Sequence, residues 1–483
     1  MNYRMIAKSI GTVLCIEAAC MLPSLLVAFI CREATTVPFI VSMLITAVAG
    51  LALLSIKSPI SRLYSRDGFA IVALGWIHIS VFGALPFILC GSIPSVIDAF
   101  FESVSGFSTT GASILENVEA LPKSILFWRS FTHWMGGMGV LILMIAILPS
   151  VNASTINIMK AESPGPSPGK IVPKISETAK ILYTIYIVLT VIQVVLLLAG
   201  GMPLFDALIH AFGTASTGGF SSKNTSVAAY GSVYIETVIT IFMFLCGVNF
   251  TLYYMVSKRN FKTLLRDEEL RFYIGIVFTA IILIVLNTGG TVYRTIGESI
   301  RYAAFQVSSV ITTTGYSTAD FSIWPTFSQV ILILLMFIGA SAGSTGGGLK
   351  CIRILLLAKI IKREIAKINH PSAVQTVKIN GRIVDEETLS GIMAFFFFWM
   401  LIFALSVLIV SLEGKGLITS TTAVIATLNN IGPGLGSVGP MGNFADLSVL
   451  SKLVLSVCMI VGRLEIYPIM LLFTPSFWKR GNI

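Results

Sequence analysis

The sequence predicts an all-α polytopic membrane protein in which two N-terminal helices precede four helix–loop–helix repeats. Composition is the first observation, since 55% of the 483 residues are hydrophobic and only 12% are charged. Soluble domains carry about 25% charged residues, so the excess apolar surface is expected to face lipid. The second observation is a series of apolar runs that reach the roughly 18 residues a helix needs to span a bilayer. The third is a segment rich in hydroxyls and glycine that recurs four times between these runs.

The apolar runs predict ten spans. They cover residues 5–30, 38–56, 68–90, 123–149, 175–200, 232–257, 272–289, 325–341 continuing into 350–361, 388–411 and 447–474. Lys and Arg gather in six segments that alternate with pairs of these runs: 4–8, 57–66, 160–174, 258–271, 350–382 and 479–480. Because basic loops stay in the cytoplasm, both termini are predicted to be cytoplasmic. This placement of the net charge of +10 favours a membrane protein over a nucleic-acid-binding one.

Four gaps between the spans resemble one another. They read "DAFFESVSGFSTTGAS", "DALIHAFGTASTGGFS", "YAAFQVSSVITTTGYS" and "TAVIATLNNIGPG". Superposed on one glycine each, they align Gly111, Gly218, Gly315 and Gly432, with separations of 107, 97 and 117 residues. A period near 107 residues indicates an internal fourfold repeat of helix, re-entrant loop and helix. The first two spans lie outside it.

The chemistry of these gaps points to a cation. Irregular backbone is tolerated at membrane depth where it lines a water-filled path or is buried in protein. A half-helix aimed into the membrane carries about half a negative charge at its C-terminus, and an extended stretch beyond it can turn carbonyl oxygens toward an ion. Glycine allows the backbone angles that this requires, and Ser and Thr add neutral oxygens. Neutral oxygens favour a weakly hydrated monovalent cation such as K⁺ over Ca²⁺. Small residues that pack helices together would lie inside apolar helices instead.

Other classes of function are weakly supported. The four histidines have no metal-ligand spacing, and no nucleophile–base pair lies within a span, so an enzyme is not predicted. The alternative that stays open is a secondary transporter of another small cation or solute, which also uses broken helices. Such folds usually have two inverted repeats.

Two polar features lie outside the four gaps. The segment "GASAGSTGGGLK" (339–350) interrupts a span and lacks the ending of a phosphate-binding loop. Its residues are consistent with a Gly-rich kink or with a movable plug, since a run with so few side chains has little to hold it in one conformation. Arg463 lies near the middle of the last predicted span, where a charge usually faces a cavity or a partner. Asp98 and Asp206 precede Gly111 and Gly218, the first two of the aligned glycines. They are interpreted as residues at helix N-termini that add negative potential.

The motifs "FFESVSGFSTTGAS", "LFWRSFTHWMGGMGVLIL", "FGTASTGGFS", "ITTTGYSTADF", "GASAGSTGGGLK" and "VGRLEIYP" resemble those of the Trk-type potassium uptake transmembrane subunits of bacteria, within the superfamily of K⁺ transporters. The resemblance covers most of the chain, and the additional N-terminal pair of helices favours the Trk type over the related Ktr type. It implies K⁺ uptake across the bacterial inner membrane through a pore on a pseudo-fourfold axis. It leaves open whether transport is passive or coupled to H⁺ or Na⁺ as a symport.

The resemblance also implies site residues and partners. The expected backbone-carbonyl filter comprises Thr109, Thr110, Gly111, Thr217, Gly218, Thr313, Thr314, Gly315, Asn430, Ile431 and Gly432. The expected gate comprises Gly343, Ser344, Thr345, Gly346, Gly347, Gly348, Lys350 and Arg463. "NNIGPG" departs from the other three filters, which puts strict K⁺ selectivity in doubt. A homodimer and a cytoplasmic TrkA-type RCK regulatory subunit are implied, with NAD or ATP/ADP acting only through that subunit. No cofactor of the chain itself is implied. The basic segment 350–382 is a candidate contact for anionic membrane lipid or for an acidic protein surface.

The predicted domains follow the repeats. They are an N-terminal two-helix segment (1–66), pore repeat 1 (67–150), pore repeat 2 (151–260), pore repeat 3 with the intramembrane loop 339–350 (261–370), and pore repeat 4 (371–483).

Overall fold

The structure, a computed structural model, describes residues 1–56, 65–139, 175–373 and 375–478, which are mostly helical. Residues 140–149 of the fourth predicted span, the domain boundary at 150, the basic segments 160–174 and 479–480 and most of 57–66 lie outside the described residues. The elements up to the middle of the chain are α1 (Tyr3–Cys20), α2 (Leu22–Ile30), α3 (Thr36–Leu54), α4 (Ser65–Gly83), α5 (Leu85–Leu89), α6 (Val96–Phe107), α7 (Lys123–Gly137), α8 (Ile175–Ala199), α9 (Leu204–Ala215), α10 (Val233–Cys246), α11 (Phe250–Ser257) and α12 (Phe261–Arg266). The remaining elements are α13 (Glu268–Thr288), α14 (Ile296–Ile311), α15 (Thr326–Ile338), α16 (Cys351–Asn369), β1 (Lys378–Ile379), β2 (Arg382–Ile383), α17 (Glu386–Ser411), α18 (Leu417–Leu428), α19 (Val449–Arg463), α20 (Tyr467–Leu472) and α21 (Pro475–Trp478).

Six helical segments of the described chain are long and apolar enough to cross a membrane. They are Tyr3–Ile30, Thr36–Leu54, Arg66–Leu89, Glu177–Ala199, Glu268–Thr288 and Glu386–Ser411. A seventh, formed by α10 and α11, is bent by 92°. The predicted spans 325–361 and 447–474 are each broken into two helices. The break at 339–350 agrees with the predicted interruption of that span, whereas the breaks in 232–257 and 447–474 were not predicted, because hydropathy reports composition and not backbone direction.

Four short helices, α6, α9, α14 and α18, are the half-helices expected before the polar loops, with 12, 12, 16 and 12 residues. Each packs between the long helix that precedes it in the chain (α4, α8, α13 or α17) and the helix that returns after its loop (α7, α10, α15 or α19). Their last turns are almost fully buried, since Ala215, Ile311 and Leu428 have no exposed surface. The N-terminal helices α1 and α3 pack closely at two glycines, where a Cβ built on Gly11 would lie 2.7 Å from the carbonyl oxygen of Gly50.

A small hairpin joins α16 to α17. Strands β1 and β2 pair antiparallel around Asn380 and Gly381, whose φ angles are +49° and +78°. Asn-Gly is the residue pair that favours such a turn. The sequence analysis did not predict this hairpin, although "KINGRI" carries the signal.

Candidate ion-binding site

The four polar loops share one backbone pattern. The second residue after each half-helix and the glycine two positions later both adopt positive φ, in the left-handed region. These pairs are Thr109 (+56°) and Gly111 (+80°), Thr217 (+56°) and Gly219 (+78°), Thr313 (+59°) and Gly315 (+84°), and Asn430 (+56°) and Gly432 (+98°). A positive φ is uncommon for threonine, so its recurrence at the same place in four loops indicates a common backbone geometry.

The second loop is displaced by one residue from the sequence alignment. The alignment superposed Gly218 on Gly111, whereas the glycine with the positive φ is Gly219. The structural separations are therefore 108, 96 and 117 residues between the four glycines. Gly218 has a different reason to be glycine, because a Cβ there would lie 2.5 Å from the ring of His133.

The four loops contact one another in a closed cycle. A Cβ built on each positive-φ glycine would collide with a carbonyl oxygen of the next loop: Gly111 at 2.2 Å from Gly218, Gly219 at 1.9 Å from Thr314, Gly315 at 2.1 Å from Ile431, and Gly432 at 2.7 Å from Thr110. Each loop thus contacts the next one along the chain, and the fourth loop contacts the first. We call the oxygens of Thr110, Gly218, Thr314 and Ile431 the carbonyl ring. Residues up to 321 positions apart, such as Thr110 and Ile431, are brought together here because the chain returns to one place four times.

The hydroxyls of these loops mostly bond within the loops. Thr109 and Thr217 each donate to the carbonyl oxygen of the preceding residue, at 2.7 and 2.6 Å. The hydroxyls of Ser108 and Thr110 lie 2.7 Å apart. In the fourth loop, Asn430 Nδ2 donates to Thr110 Oγ1 at 2.9 Å and to the carbonyl oxygen of Met459 at 2.9 Å. The asparagine therefore ties the divergent fourth loop to the first.

An outer cavity opens onto all four loops. Its volume is 180 Å³, and Gly111, Gly219, Gly315 and Gly432 all line it. Glu116 and Lys223 are among its other lining residues. The four glycines thus share one space rather than lying on separate faces of the protein.

A buried ion pair supports the first loop from behind. Arg129 Nε on α7 lies 2.5 Å from Glu102 Oε1 on α6, and neither side chain is more than 4% exposed. Glu102 also accepts from the backbone N–H of Ile114 at 3.0 Å, and the Arg129 guanidinium lies 3.4 Å from the centre of the Phe220 ring in the second loop. Sequence reasoning did not assign Glu102 and Arg129, although a charged residue in an apolar run ("FFESV", "LFWRS") signals a buried partner.

The two early aspartates lie in the first turns of half-helices, as predicted. Asp98 forms an ion pair with Lys452 of α19 at 2.7 Å. Asp206 accepts a hydrogen bond from Ser222 Oγ at 2.6 Å. Both therefore fasten half-helices to neighbouring segments as well as facing the helix dipole.

The Gly-rich segment 339–350 lies against the C-terminal ends of three half-helices. Thr345 Oγ1 donates to the carbonyl oxygen of Ala215 at 3.0 Å. Cβ atoms built on Gly346 and Gly347 would lie 2.9 Å from the carbonyl oxygen of Thr312 and 2.5 Å from that of Asn429. Gly347 N also donates to Thr313 Oγ1 at 2.7 Å. The segment therefore contacts backbone carbonyl oxygens at the ends of all three half-helices.

Further hydrogen bonds and close contacts fix the path of the segment. The Gly343 carbonyl oxygen accepts from Phe250 N at 2.9 Å, and Ser344 Oγ donates to the carbonyl oxygen of Ser341 at 2.6 Å. Gly348 adopts φ +80° where a Cβ would lie 2.9 Å from the Cα of Gly339. The buried Lys350 ammonium donates to the carbonyl oxygen of Gly346.

Arg463 joins the Gly-rich segment to the first repeat. Its guanidinium donates to the carbonyl oxygen of Thr345 at 2.8 Å and to those of Gly136 and Gly137 at 2.6 and 2.5 Å. The last two end α7, where a helix dipole favours a cation. The sequence analysis placed Arg463 inside a continuous span, but it ends α19, because Glu465 and Ile466 adopt positive φ and break the helix.

Glu465 has a partner that the sequence did not reveal. Its carboxylate accepts two hydrogen bonds from the Arg353 guanidinium of α16, at 3.2 and 2.5 Å. Lys350, Arg463 and Glu465 line a 60 Å³ cavity beside the Gly-rich segment. Two cations and one carboxylate therefore surround that space.

No three His, Cys, Asp or Glu side chains lie together as a metal site among the described residues. The oxygens of the carbonyl ring are neutral main-chain atoms, which is a different kind of cation ligand from the carboxylate clusters that hold divalent metals.

Comparison with known proteins agrees with these features. The chain is 40% identical over 487 residues to the Trk system potassium uptake protein TrkH of Escherichia coli K12, covering 99% of this chain and 100% of that protein. It is 35% identical to the Trk system potassium uptake protein TrkG of the same strain, covering 99% of each. The crystal structure of the potassium transporter TrkH from Vibrio parahaemolyticus matches with a TM-score of 0.89 and 36% identity over 99% of this chain and 100% of that one. A sequence model of the TrkH family, described as a cation transport protein, matches residues 34–480. The chain therefore belongs to the TrkH family of cation transport proteins.

Proposed function

We propose that the protein takes up K⁺ across the bacterial inner membrane through the carbonyl ring, which acts as its selectivity filter. The observation that carries this proposal is the closed cycle of contacts among the four loops around one outer cavity. The cycle supports the proposal because a backbone oxygen from each of the four loops lies next to a glycine of a neighbouring loop, and an ion that passes between the loops would meet these oxygens. The relatives described as potassium uptake proteins support K⁺ as the ion.

The electrostatics of the site favour a cation. Four half-helices end at the loops, and each helix C-terminus carries about half a negative charge. The carbonyl oxygens are neutral and can replace the hydration shell of a weakly hydrated monovalent ion. The fourth loop presents Ile431 and Gly432 with Asn430 in place of threonine. We infer that this unlike wall makes the filter less selective than one built from four identical loops.

The Gly-rich segment 339–350 and Arg463 are proposed as the gate. The segment donates hydrogen bonds to the carbonyl oxygen of Ala215 and to Thr313 Oγ1, near the ends of two half-helices, and it is proposed to lie beneath the carbonyl ring. Arg463 holds it to α7 with a fixed positive charge. For ions to pass, the segment must move, and those hydrogen bonds must break.

The partners belong to the same proposal. Both termini are proposed to lie in the cytoplasm, because the basic segments follow the positive-inside rule. The chain is proposed to form a homodimer, and a TrkA-type RCK subunit that binds NAD or ATP/ADP is proposed to control the gate from the cytoplasmic side. The basic segment 350–382 is the proposed contact for anionic lipid.

The experiment that tests the function is Rb⁺ and K⁺ influx into liposomes that contain the purified protein. We expect influx that K⁺ competes against more effectively than Na⁺. Empty liposomes and liposomes that contain a heat-inactivated sample are the controls. The absence of cation influx at every tested gradient, with and without the regulatory subunit, would reject the proposal.

A further inference from the structure

One buried carboxylate contacts both ends of the Gly-rich segment. Glu269 on α13 is 6% exposed, and its Oε1 accepts from the backbone N–H of Ala342 at 2.6 Å and from that of Ile352 at 3.2 Å. Ala342 lies near the start of the segment, and Ile352 follows its end. A single oxygen thus holds the two sides of the segment together.

The helix after the segment depends on this contact. α16 begins after Lys350, which occupies the N-cap position and makes no side-chain hydrogen bond to the helix. The first N–H groups of a helix have no partners within it, and a negative charge there is favourable. Glu269 supplies an acceptor oxygen from another helix to one of these N–H groups, that of Ile352, and so links the start of α16 to α13.

The residues just before Glu269 are bonded to the hairpin. Asn380 N donates to Glu268 Oε1 at 2.9 Å, and Glu268 N donates back to Asn380 Oδ1 at 2.8 Å. Asn380 Nδ2 donates to Asp267 Oδ2 at 2.9 Å. Lys359 of α16 donates to Glu268 and, at 2.6 Å, to the carbonyl oxygen of Lys378. The hairpin is therefore hydrogen-bonded directly to the start of α13.

We propose that Glu269 is a positioning residue that latches the Gly-rich segment closed, and that the hairpin β1–β2 is the lever that transmits displacement to this latch. The inference rests on the proposed function, because the latch acts on the proposed gate. Glu269 does not contact the carbonyl ring through any of the hydrogen bonds described above, so it acts on conduction through the segment. Release of the latch lets the segment leave the space beneath the ring.

Cys351 is a natural reporter of the latch. It follows the segment directly, has no exposed surface, and lies 3.3 Å from the carbonyl oxygen of Gly339 through its Sγ. Cys458 on α19 is also buried, at 2% exposed, and bonds to Ser406. The rate at which iodoacetamide alkylates each thiol, resolved by peptide mass spectrometry on the full chain, separates opening of the segment from general unfolding.

The test compares Glu269→Ala, Glu269→Gln and Asn380→Ala with Glu364→Gln, a matched control that changes an exposed carboxylate of α16. Glu269→Ala removes both hydrogen bonds to the segment and is expected to speed Cys351 alkylation at least about tenfold. Cys458 alkylation stays at the parent rate, and Rb⁺ influx without a regulator rises while the preference for K⁺ over Na⁺ is kept. In Glu269→Gln, Cys351 alkylation and Rb⁺ influx rise by less, since the amide keeps an acceptor oxygen. In Asn380→Ala they also rise by less, since the hydrogen bonds of Glu269 itself remain. Glu364→Gln matches the parent.

Parent-level alkylation of Cys351 and parent-level influx in Glu269→Ala would overturn the latch. If Glu269→Ala unfolds, so that both thiols react, the Glu269→Gln variant decides, and parent-level behaviour there overturns the inference. If the parent protein carries no Rb⁺, the proposed function fails, and Cys351 alkylation still decides whether Glu269 holds the segment. The two failures are therefore distinguishable.

Discussion

Replacement of Gly315 by alanine tests the carbonyl ring directly. The backbone there has φ +84°, and the added Cβ would lie 2.1 Å from the carbonyl oxygen of Ile431, where a contact below 3.0 Å is essentially never found. The oxygen must therefore move from 2.1 Å to at least 3.0 Å, a displacement of 0.9 Å. This exceeds the roughly 0.5 Å within which a binding constellation must be held. A left-handed non-glycine residue costs a further ~1–2 kcal/mol.

The expected effect follows from the displacement of the Ile431 oxygen and from the backbone strain at residue 315. A strain of ~1–2 kcal/mol on the conducting geometry corresponds to a factor of about 5 to 30, so Rb⁺ influx is expected to fall by about that factor or more. Where influx remains, the displaced oxygen is expected to reduce the preference for K⁺ over Na⁺. The assay is Rb⁺ influx into proteoliposomes, with K⁺ and Na⁺ as competitors.

The matched control is Gly275→Ala on α13. Gly275 has no neighbouring heavy atom within 4 Å of an added Cβ and no positive φ. Alanine is favoured over glycine inside a helix by about 0.5–1 kcal/mol, so this variant is expected to fold and conduct like the parent. Parental influx and selectivity in Gly315→Ala would refute the reasoning, as would an equal loss in Gly275→Ala.

Three further changes test the surroundings of the ring. Arg463→Ala removes three hydrogen bonds to main-chain carbonyls, so Rb⁺ influx without a regulator is expected to rise about tenfold. The Rb⁺ influx of Arg463→Lys is expected to lie between those of the parent and Arg463→Ala. Unchanged influx in Arg463→Ala would contradict the proposed gate. Arg129→Met leaves the Glu102 carboxylate buried without its ion-pair partner, which is expected to cost ~3–5 kcal/mol and to lower the melting temperature in detergent. The double variant with Glu102→Leu should regain part of that loss, and equal melting of parent and single variant would contradict the structural role. Asn430→Ala removes the hydrogen bond to Thr110 Oγ1 and is expected to weaken the preference for K⁺ in the same competition assay; a preserved preference would show that the fourth loop contributes nothing through this side chain.

The fold could be predicted from the sequence where the signal was composition or period. The low charge content predicted a membrane protein, and the match to the TrkH family and to a solved TrkH structure confirms the resemblance. The breaks in the helices could not be predicted the same way. Residues 233–257 and 447–474 are apolar on both sides of each break, and the 92° bend depends on backbone angles that hydropathy does not report.

The site was predicted at the level of segments but not of atoms. "STGG" offers two adjacent glycines, and the sequence provides no means to decide which of Gly218 and Gly219 takes the left-handed position. The pairing of Glu465 with Arg353 spans 112 residues, and the contacts of Glu269 with the Gly-rich segment join residues more than 70 apart. Such partners are chosen by where helices meet, and no local pattern encodes them.

The sequence by itself determined that this chain lies in a membrane and that it carries four copies of a polar, glycine-containing loop, because hydrophobicity and repetition are properties of the residues in order. Only the tertiary structure decided that these loops abut in a closed cycle, that Arg463 ends a helix rather than lying within one, and that Glu269 holds both ends of the Gly-rich segment. The physical reason is that each of these depends on the approach of backbone groups from distant parts of the chain, which helix packing sets and residue order does not.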